Sequence, residues 1–339
     1  MLVYYQELAA DLTRIRNFLA LPSSTPSTAD ERTFSYVACI STLYASFENF
    51  AERLAFRFSE ILLSSPAYLS KEEVQKLRKR YVSNASSLLS QSLGSGRYQD
   101  VTELDVAQSL ASCLDENVPY QLRLEILSLH NANLRWQVLG DMFRWAVDDL
   151  LAGVAASDAV AKWTNLNGAT SKAIADELDA ELKELVSRRN EIAHRGIPDE
   201  ILSPESMLDK IDYIEVVALA MIASLATRVL ELSAETGDSV SVGTVMDVFK
   251  QDRVAIVTLE HPVSEGETVW ATHSKKVRWG RIKQIQLEDT RVPSADTGEV
   301  AGIELEFATA KGAVLHRWGN PTDDLVPAPS NIFGDKGPL

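Results

Sequence analysis

From the start of the chain to about Glu235, apolar residues recur at helical spacing. In ERTFSYVACISTLYASFENFAERLAFRFSEILL, residues Phe34, Val37, Ile40, Leu43, Phe47, Phe50, Leu54, Phe58 and Ile61 mark one stripe of a long helix. The loop LPSSTPSTAD ahead of it supplies prolines and hydroxyls for a break after a first helix over 3–20, and Thr28 or Asp30 is placed to cap the long helix. Ser70 with Glu73 reads as a capping box for a helix running to about Ser90, after which Gly94 and Gly96 interrupt the pattern. Shorter helices are expected around 103–115, 120–129 and 131–151. From Ser171 to His194 the apolar set is Ile174, Leu178, Leu182, Leu185, Val186 and Ile192, ending at Arg195-Gly196 with Pro198 barring continuation. Ser203-Pro204 opens a last long helix that ends near Thr236-Gly237.

After Gly237 the period changes to two. VGTVMDVF, RVAIVTLE, ETVWATH, RWGRIKQIQLE, AGIELEFATA and AVLHRW alternate within short runs rich in Val, Ile, Thr and Trp, with Gly266, Gly298 and Gly302 where turns are needed. Several short strands in so little chain point to a small barrel or sandwich. The expected fold is therefore two-domain and mainly α: an all-α helical bundle over 1–236, a small all-β barrel over 237–322, and a flexible, proline-rich tail over 323–339.

Composition narrows the function classes. The 339 residues carry 33 Lys+Arg against 48 Asp+Glu, a formal net charge of -15, which argues against coating nucleic acid through a global positive field. The deficit is shared, with 33 acidic against 22 basic residues before Gly237 and 15 against 11 from there on, so an anion site must be a local cluster. No run of about 18 consecutive apolar residues suggests a membrane span, and the first residues lack the pattern of a signal peptide. A soluble, cytoplasmic protein is expected. Cys39 and Cys113 lie in apolar helical contexts without metal or disulfide spacing, and are expected to be buried thiols.

Candidate chemistry concentrates in Arg188-Arg189-Asn190-Glu191-Ile192-Ala193-His194-Arg195-Gly196, at the C-terminal end of a helix. Asn190 and His194 share a face at i and i+4, and Glu191 reaches the same imidazole at i+3. Arg189 lies further round: five residues correspond to roughly 500 degrees of rotation, so a site using both Arg189 and His194 is easier to build where two helix ends of a dimer meet. An imidazole beside a guanidinium suits a phosphodiester. The same residues also serve as simple partners of the helix dipole without catalysis. Glu48 on the long helix either faces this cleft and restrains Arg189 or is a surface carboxylate next to Arg53 or Arg57. His130 reads as a cap or loop residue, no histidine pair has zinc spacing, and no phosphate-binding glycine loop is present. Neither metal nor cofactor is expected.

Arg189-Asn190-Glu191-Ile192-Ala193-His194 resembles the Arg-x-x-x-x-His signature of the HEPN superfamily, helical-bundle proteins of which many are metal-independent endoribonucleases in toxin, antiviral and stress systems. STLYASFENFAERL and HNANLRWQVLGDMF are similar to two further segments of one HEPN branch, in the same order. The resemblance covers most of residues 30–230. It implies that His194 is the acid/base, that Arg189 holds the scissile phosphate, that Asn190 orients His194 or contacts phosphate, and that two motifs pair across a homodimer. Glu191 is not required by the motif and stands as a solvated residue or a partner of Arg188 or Arg195. The resemblance also implies an RNA substrate, with an antitoxin-like regulator or other protein partner as a further expectation. A non-catalytic HEPN-type scaffold that dimerises and binds RNA or protein is the alternative.

In the C-terminal part, HSKKVRWGRIKQIQ gathers Lys275, Lys276, Arg278, Trp279, Arg281 and Lys283 near Trp270. Cations interleaved with aromatics fit RNA contact, and charged strand edges that prevent unwanted pairing give the same composition. Gly266-Glu267-Thr268-Val269 and Gly302-Ile303 resemble the β-barrel second domain of translational GTPases over roughly residues 240–310, implying a docking module rather than catalysis.

Overall fold

A computed structural model describes residues 1–20, 28–115, 118–164, 170–196, 198, 200–273 and 276–318. The chain divides into two compact units, Val3–Ser224 and the part from Leu225 onward.

The first unit opens with α1 (Leu2–Leu19) and α2 (Ala29–Leu63). Thr28 caps α2: its hydroxyl accepts from the Glu31 amide, and the Glu31 carboxylate accepts from the Thr28 amide in return. Tyr36, Ile40, Leu43, Phe47, Phe50, Leu54 and Phe58 are buried along α2, whereas Phe34 is 68% exposed, so the expected stripe holds only beyond the first turns. The same reciprocal cap, Ser70 with Glu73, opens α3 (Lys71–Leu89), and Thr102 with Asp105 opens α4 (Glu103–Leu114). Cys39 and Cys113 are buried free thiols, and burial pushes both up to about 11.

The two mid-chain helices expected over 120–129 and 131–151 are much shorter. They reduce to α5 (Leu124–Leu127), α6 (Trp136–Phe143) and α7 (Leu150–Ala155), followed by α8 (Asp158–Trp163). α3 supports the ends of these pieces: Arg80 donates to the carbonyls of Leu127 and Asp141, and Asn84 to that of Ile126, so acceptors without a helical partner there are satisfied by side chains.

Two long helices complete the bundle. In α9 (Ser171–Arg195), Leu178, Leu182, Leu185 and Val186 are buried against a core shared with α2 and α7, and Gly196, at φ 74°, ends it. In α10 (Pro204–Thr236), Ser203 accepts from the Ser206 amide at the start. Tyr213 of α10 donates to the Leu178 carbonyl at 2.8 Å, and Arg16 of α1 pairs with Asp212 and Glu215. Among the described helices α10 alone is long and apolar enough to cross a membrane, and that stretch is mostly buried. It runs across the division between the two units.

The second unit holds β1 (Ser239–Phe249), β2 (Val254–Thr258), β3 (Val263–Ser264), β4 (Thr268–His273), β5 (Lys276–Leu287), β6 (Thr290–Val292), β7 (Ser294–Ala295), β8 (Val300–Leu305) and β9 (Val314–Trp318). The order β4-β9-β1-β2-β8-β5 closes by pairing of β5 with β4, giving a six-stranded antiparallel barrel. β1 and β5 each serve two neighbours by bending at bulges. β1 pairs with β9 up to Thr244 and with β2 from Val245, and β5 passes from β4 to β8 around Ile282. Gly243 sits at a bulge with φ 142°, where an added Cβ would lie 2.4 Å from the Thr258 carbonyl oxygen. Val257, Val269, Ile285, Ile303 and Leu315 fill the interior. Gly266 and Gly298 occupy left-handed turn positions as expected, but Gly302 lies inside β8 opposite Ile256. The tail expected over 323–339 falls outside the described residues.

Candidate active site

The last turns of α9 carry two adjacent arginines with different surroundings. Arg188 is ion-paired on its own helix, to Glu184 at 2.8 Å, a carboxylate it shares with the buried Lys210, which also pairs with Glu181, and it donates to the Tyr36 hydroxyl at 3.3 Å. Arg189 has no carboxylate partner among the described residues. Its Nη1 faces two amide oxygens, Asn133 Oδ1 at 3.5 Å and Asn190 Oδ1 at 3.4 Å, and its Cζ lies 5.1 Å from the centre of the Tyr44 ring. Half-buried, cationic and only partly satisfied, this guanidinium is equipped to receive an anion.

The loop 130–134, which brings Asn133 to Arg189, is pinned at both ends. At its far end the Leu134 amide donates to the Tyr44 hydroxyl at 2.8 Å, and that hydroxyl donates to Glu48 at 3.1 Å. Burial, with Glu48 alongside, pushes the Tyr44 phenol up to about 12, so it remains a donor. At the near end, His130 Nδ1 is 2.7 Å from the Ala132 carbonyl oxygen, and Nε2 is 3.0 Å from Glu52 and 3.8 Å from Glu48. Glu52, buried on α2, also pairs with Arg97, which lies in a short helical turn over Gly96–Tyr98. Burial works to raise the Glu52 carboxyl, but the bonds from His130 and Arg97 hold it below its usual value. The Glu52 bond raises His130 above the ordinary imidazole value against the opposing effect of burial, with Ala132 and Glu48 adding to the rise.

Glu48 lies on the Arg189 side, as one of its two expected placements had it, but it is linked through Tyr44, whose hydroxyl donates to Glu48 and whose ring Arg189 faces, and forms no ion pair with Arg189. Glu48 is not a partner of Arg53 or Arg57: those pair with Glu7 and Glu60. His194, five residues beyond Arg189, is exposed, and its side chain makes no hydrogen bond or ion pair among the described residues. Glu191 pairs with Arg195 at 3.5 Å, the helix-surface role it was allowed. The sequence reads His130 as a cap or loop residue and assigns no role to Tyr44, Glu52, Arg97 or Asn133; the signal available was that Tyr44 and Glu52 lie in STLYASFENFAERL and His130 and Asn133 in HNANLRWQVLGDMF, the two further segments that resemble a HEPN branch.

In the barrel, Arg278, Arg281 and Lys283 are exposed on β5, and Arg278 donates to the Ala308 carbonyl. Trp279 corrects the expected arrangement. It is buried and lies cross-strand from the buried Trp270, although by the two-residue period it shares a strand face with the exposed Arg281. Lys276 begins β5, and Lys275 lies outside the described residues.

Glu48, Glu52 and His130 are the described residues whose donor atoms converge closely enough to hold a metal ion, within 4.8 Å of one another. Arg97 already engages Glu52 and the Tyr44 hydroxyl engages Glu48, so the group is an ion-pair network rather than an open ligand set.

The profile of the RiboL-PSP-HEPN family matches residues 6–227. No curated protein matches the chain. Among solved structures, the C-terminal domain of a Geobacillus thermoleovorans protein described as a U32 peptidase aligns at 16% identity with a TM-score of 0.22, over 23% of this chain and 91% of that one.

Proposed function

Because the chain belongs to the RiboL-PSP-HEPN family, we propose that its helical unit is a metal-independent endoribonuclease of the toxin or antiviral-defence type, acting in the cytoplasm as a homodimer. The observation that carries this reading is the contrast between Arg188, ion-paired with Glu184, and Arg189, whose charge is left without a carboxylate beside two amides and an aromatic face. Arg189 receives the scissile phosphate and offsets charge on it as the transition state forms. The exposed His194 exchanges protons with the reacting oxygens. A ribose 2'-oxygen attacks phosphorus, its proton passing to a base, while the bond to the 5'-oxygen breaks and that oxygen takes up a proton. The products are a 2',3'-cyclic phosphate and a 5'-hydroxyl. Asn190, in contact with Arg189, steadies it or touches the phosphate.

The lack of a bond between Arg189 and His194 within one chain, together with the rotation between them on α9, favours a site completed by a second copy. The exposed cations of β5 favour a barrel that positions RNA or docks a protein partner. The net charge of -15 favours the scaffold alternative, in which the fold dimerises and binds without cleaving.

The test is to incubate the protein and its His194→Ala variant with total RNA in EDTA and analyse the ends of any fragments. Cleavage with cyclic-phosphate ends that disappears in the variant supports the nuclease. Intact RNA in both samples, with a stable dimer, supports the scaffold.

A further inference from the structure

The His130 ring fixes its own protonation through its neighbours. Nδ1 faces a backbone carbonyl at 2.7 Å, which only accepts, so this nitrogen carries hydrogen. Nε2 faces Glu52 at 3.0 Å and Glu48 at 3.8 Å, and a carboxylate also only accepts. A neutral ring with its hydrogen on Nδ1 would point a lone pair at two negative groups. Charge counting agrees. Glu48 and Glu52 bring two negative charges and Arg97 one positive, so a proton on Nε2 takes the cluster to zero. Without it, these directly bonded groups keep one net negative charge, the next cation being Arg189 across the Tyr44 ring, beside a His130 side chain only 9% exposed and a Glu52 side chain 10% exposed. A divalent cation in place of the proton would overshoot to a net positive charge and compete with Arg97 for Glu52. The charged and titratable groups around the ring are Glu48 and Glu52 of α2, Tyr44 bonded to Glu48 with Arg189 of α9 over its ring, and Arg97 with Tyr98 behind Glu52.

We propose that the doubly protonated His130 is a latch that ties the 130–134 loop to α2 and thereby sets the position of Arg189, making His130, Glu52 and Arg97 positioning residues for the phosphate-binding arginine. The loop is the physical link. His130 anchors one end to Glu52, and the other end holds Asn133 against Arg189 and Leu134 against the Tyr44 hydroxyl, whose ring Arg189 faces. Release of the His130 end frees the residue that aims the guanidinium, while Arg189 itself stays in place on α9. The inference rests on the nuclease reading for its catalytic consequence and stands apart from it for its structure.

The test uses the full chain with nitrogen-15-labelled histidines. The His130 ring is expected to carry both protons at neutral pH, with a midpoint above the ordinary 6.5. Glu52→Gln should lower that midpoint and Arg97→Gln should raise it, opposite shifts that a packing role would not produce. Arg97 is on the surface, so its variant keeps the test available if the Glu52 variant does not fold. Hydrogen exchange over 130–134 should quicken in Glu52→Gln and His130→Ala. In RNA cleavage, kcat should fall about tenfold or more with a smaller change in KM, the cost of a misplaced group. A neutral His130 at pH 7, same-direction shifts in the two variants, or unchanged loop exchange overturns the latch. Stoichiometric displacement of the His130 ring signal by Zn2+ overturns it in favour of a metal site. If the wild-type protein leaves RNA intact, the nuclease reading fails, and the nitrogen-15 and exchange results alone decide the latch.

Discussion

The end of α9 and the strand β5 both combine cations with aromatics, and the two solve different problems. On α9, Arg189 lies over the face of Tyr44 from another helix, so the aromatic ring and the charge form one surface. On β5, Arg278, Arg281 and Lys283 face solvent while Trp279 is buried, so charge and aromatic part company. The difference lies in what each ring packs against. Trp279 is covered beside its cross-strand neighbour Trp270 while Arg281, two residues on along the same strand face, stays exposed. The packing of α9 on α2 instead lays Arg189 over a ring from a distant part of the chain. Similar composition therefore gives a guanidinium packed on an aromatic face in one region and an exposed cationic strand in the other.

The helical site offers the most severe trial of that contrast. Arg189→Ala or His194→Ala should reduce RNA cleavage by about 10²- to 10⁴-fold, read as initial rates on a defined RNA, with little change in thermal unfolding. Arg188→Ala, one residue away, should cost far less, because its charge is paired with Glu184; equal losses at the two positions would remove the distinction. In the barrel the largest expected effect is on stability rather than activity. Gly243→Ala should destabilise that unit by about 2 kcal/mol or more, since the new Cβ meets the Thr258 carbonyl, and calorimetry should show an earlier transition. Replacing Arg278, Arg281 and Lys283 together by Ala should weaken RNA binding about tenfold at low salt and flatten its salt dependence, leaving the unfolding temperature near that of the wild type.

The smallest effect is on the pH dependence of stability, and its sign is fixed by two opposed shifts. His130 is raised in the folded chain, so its contribution is complete below the ordinary value of 6.5 and fades as pH rises through the folded value. Glu52 is lowered, so its contribution is complete above the ordinary value of 4.5 and fades as pH falls through the folded value. The cluster should therefore stabilise most between these two pH values. Denaturant melts of wild type and His130→Ala should differ most inside that window, and a difference that instead grows above pH 8 would contradict the assignment.

The sequence revealed what is local. Thr28 with Glu31 and Ser70 with Glu73 cap helices at the positions where the polar pattern places them, and Gly196 ends α9 as its freedom at positive φ allows. The change of period at Gly237 marks the start of strands. What stayed hidden depends on partners far along the chain. The short helices over 120–151 have carbonyls held by Arg80 and Asn84 of α3, partners that no window over that segment contains. His130 and Glu52 are 78 residues apart, so nothing in their local spacing announces the pair. Arg189 and His194 were visible as a motif, but that Arg189 has no carboxylate partner among the described residues is a property of the packed bundle.

Closure of the barrel has a consequence for how this unit can recognise anything. Six strands satisfy one another around a ring, and the described strands outside it are two or three residues long: β3, β6 and β7. A partner polypeptide finds little main chain on which to continue a sheet. Selectivity there must be written in side chains, so it can be altered one residue at a time without redrawing the scaffold.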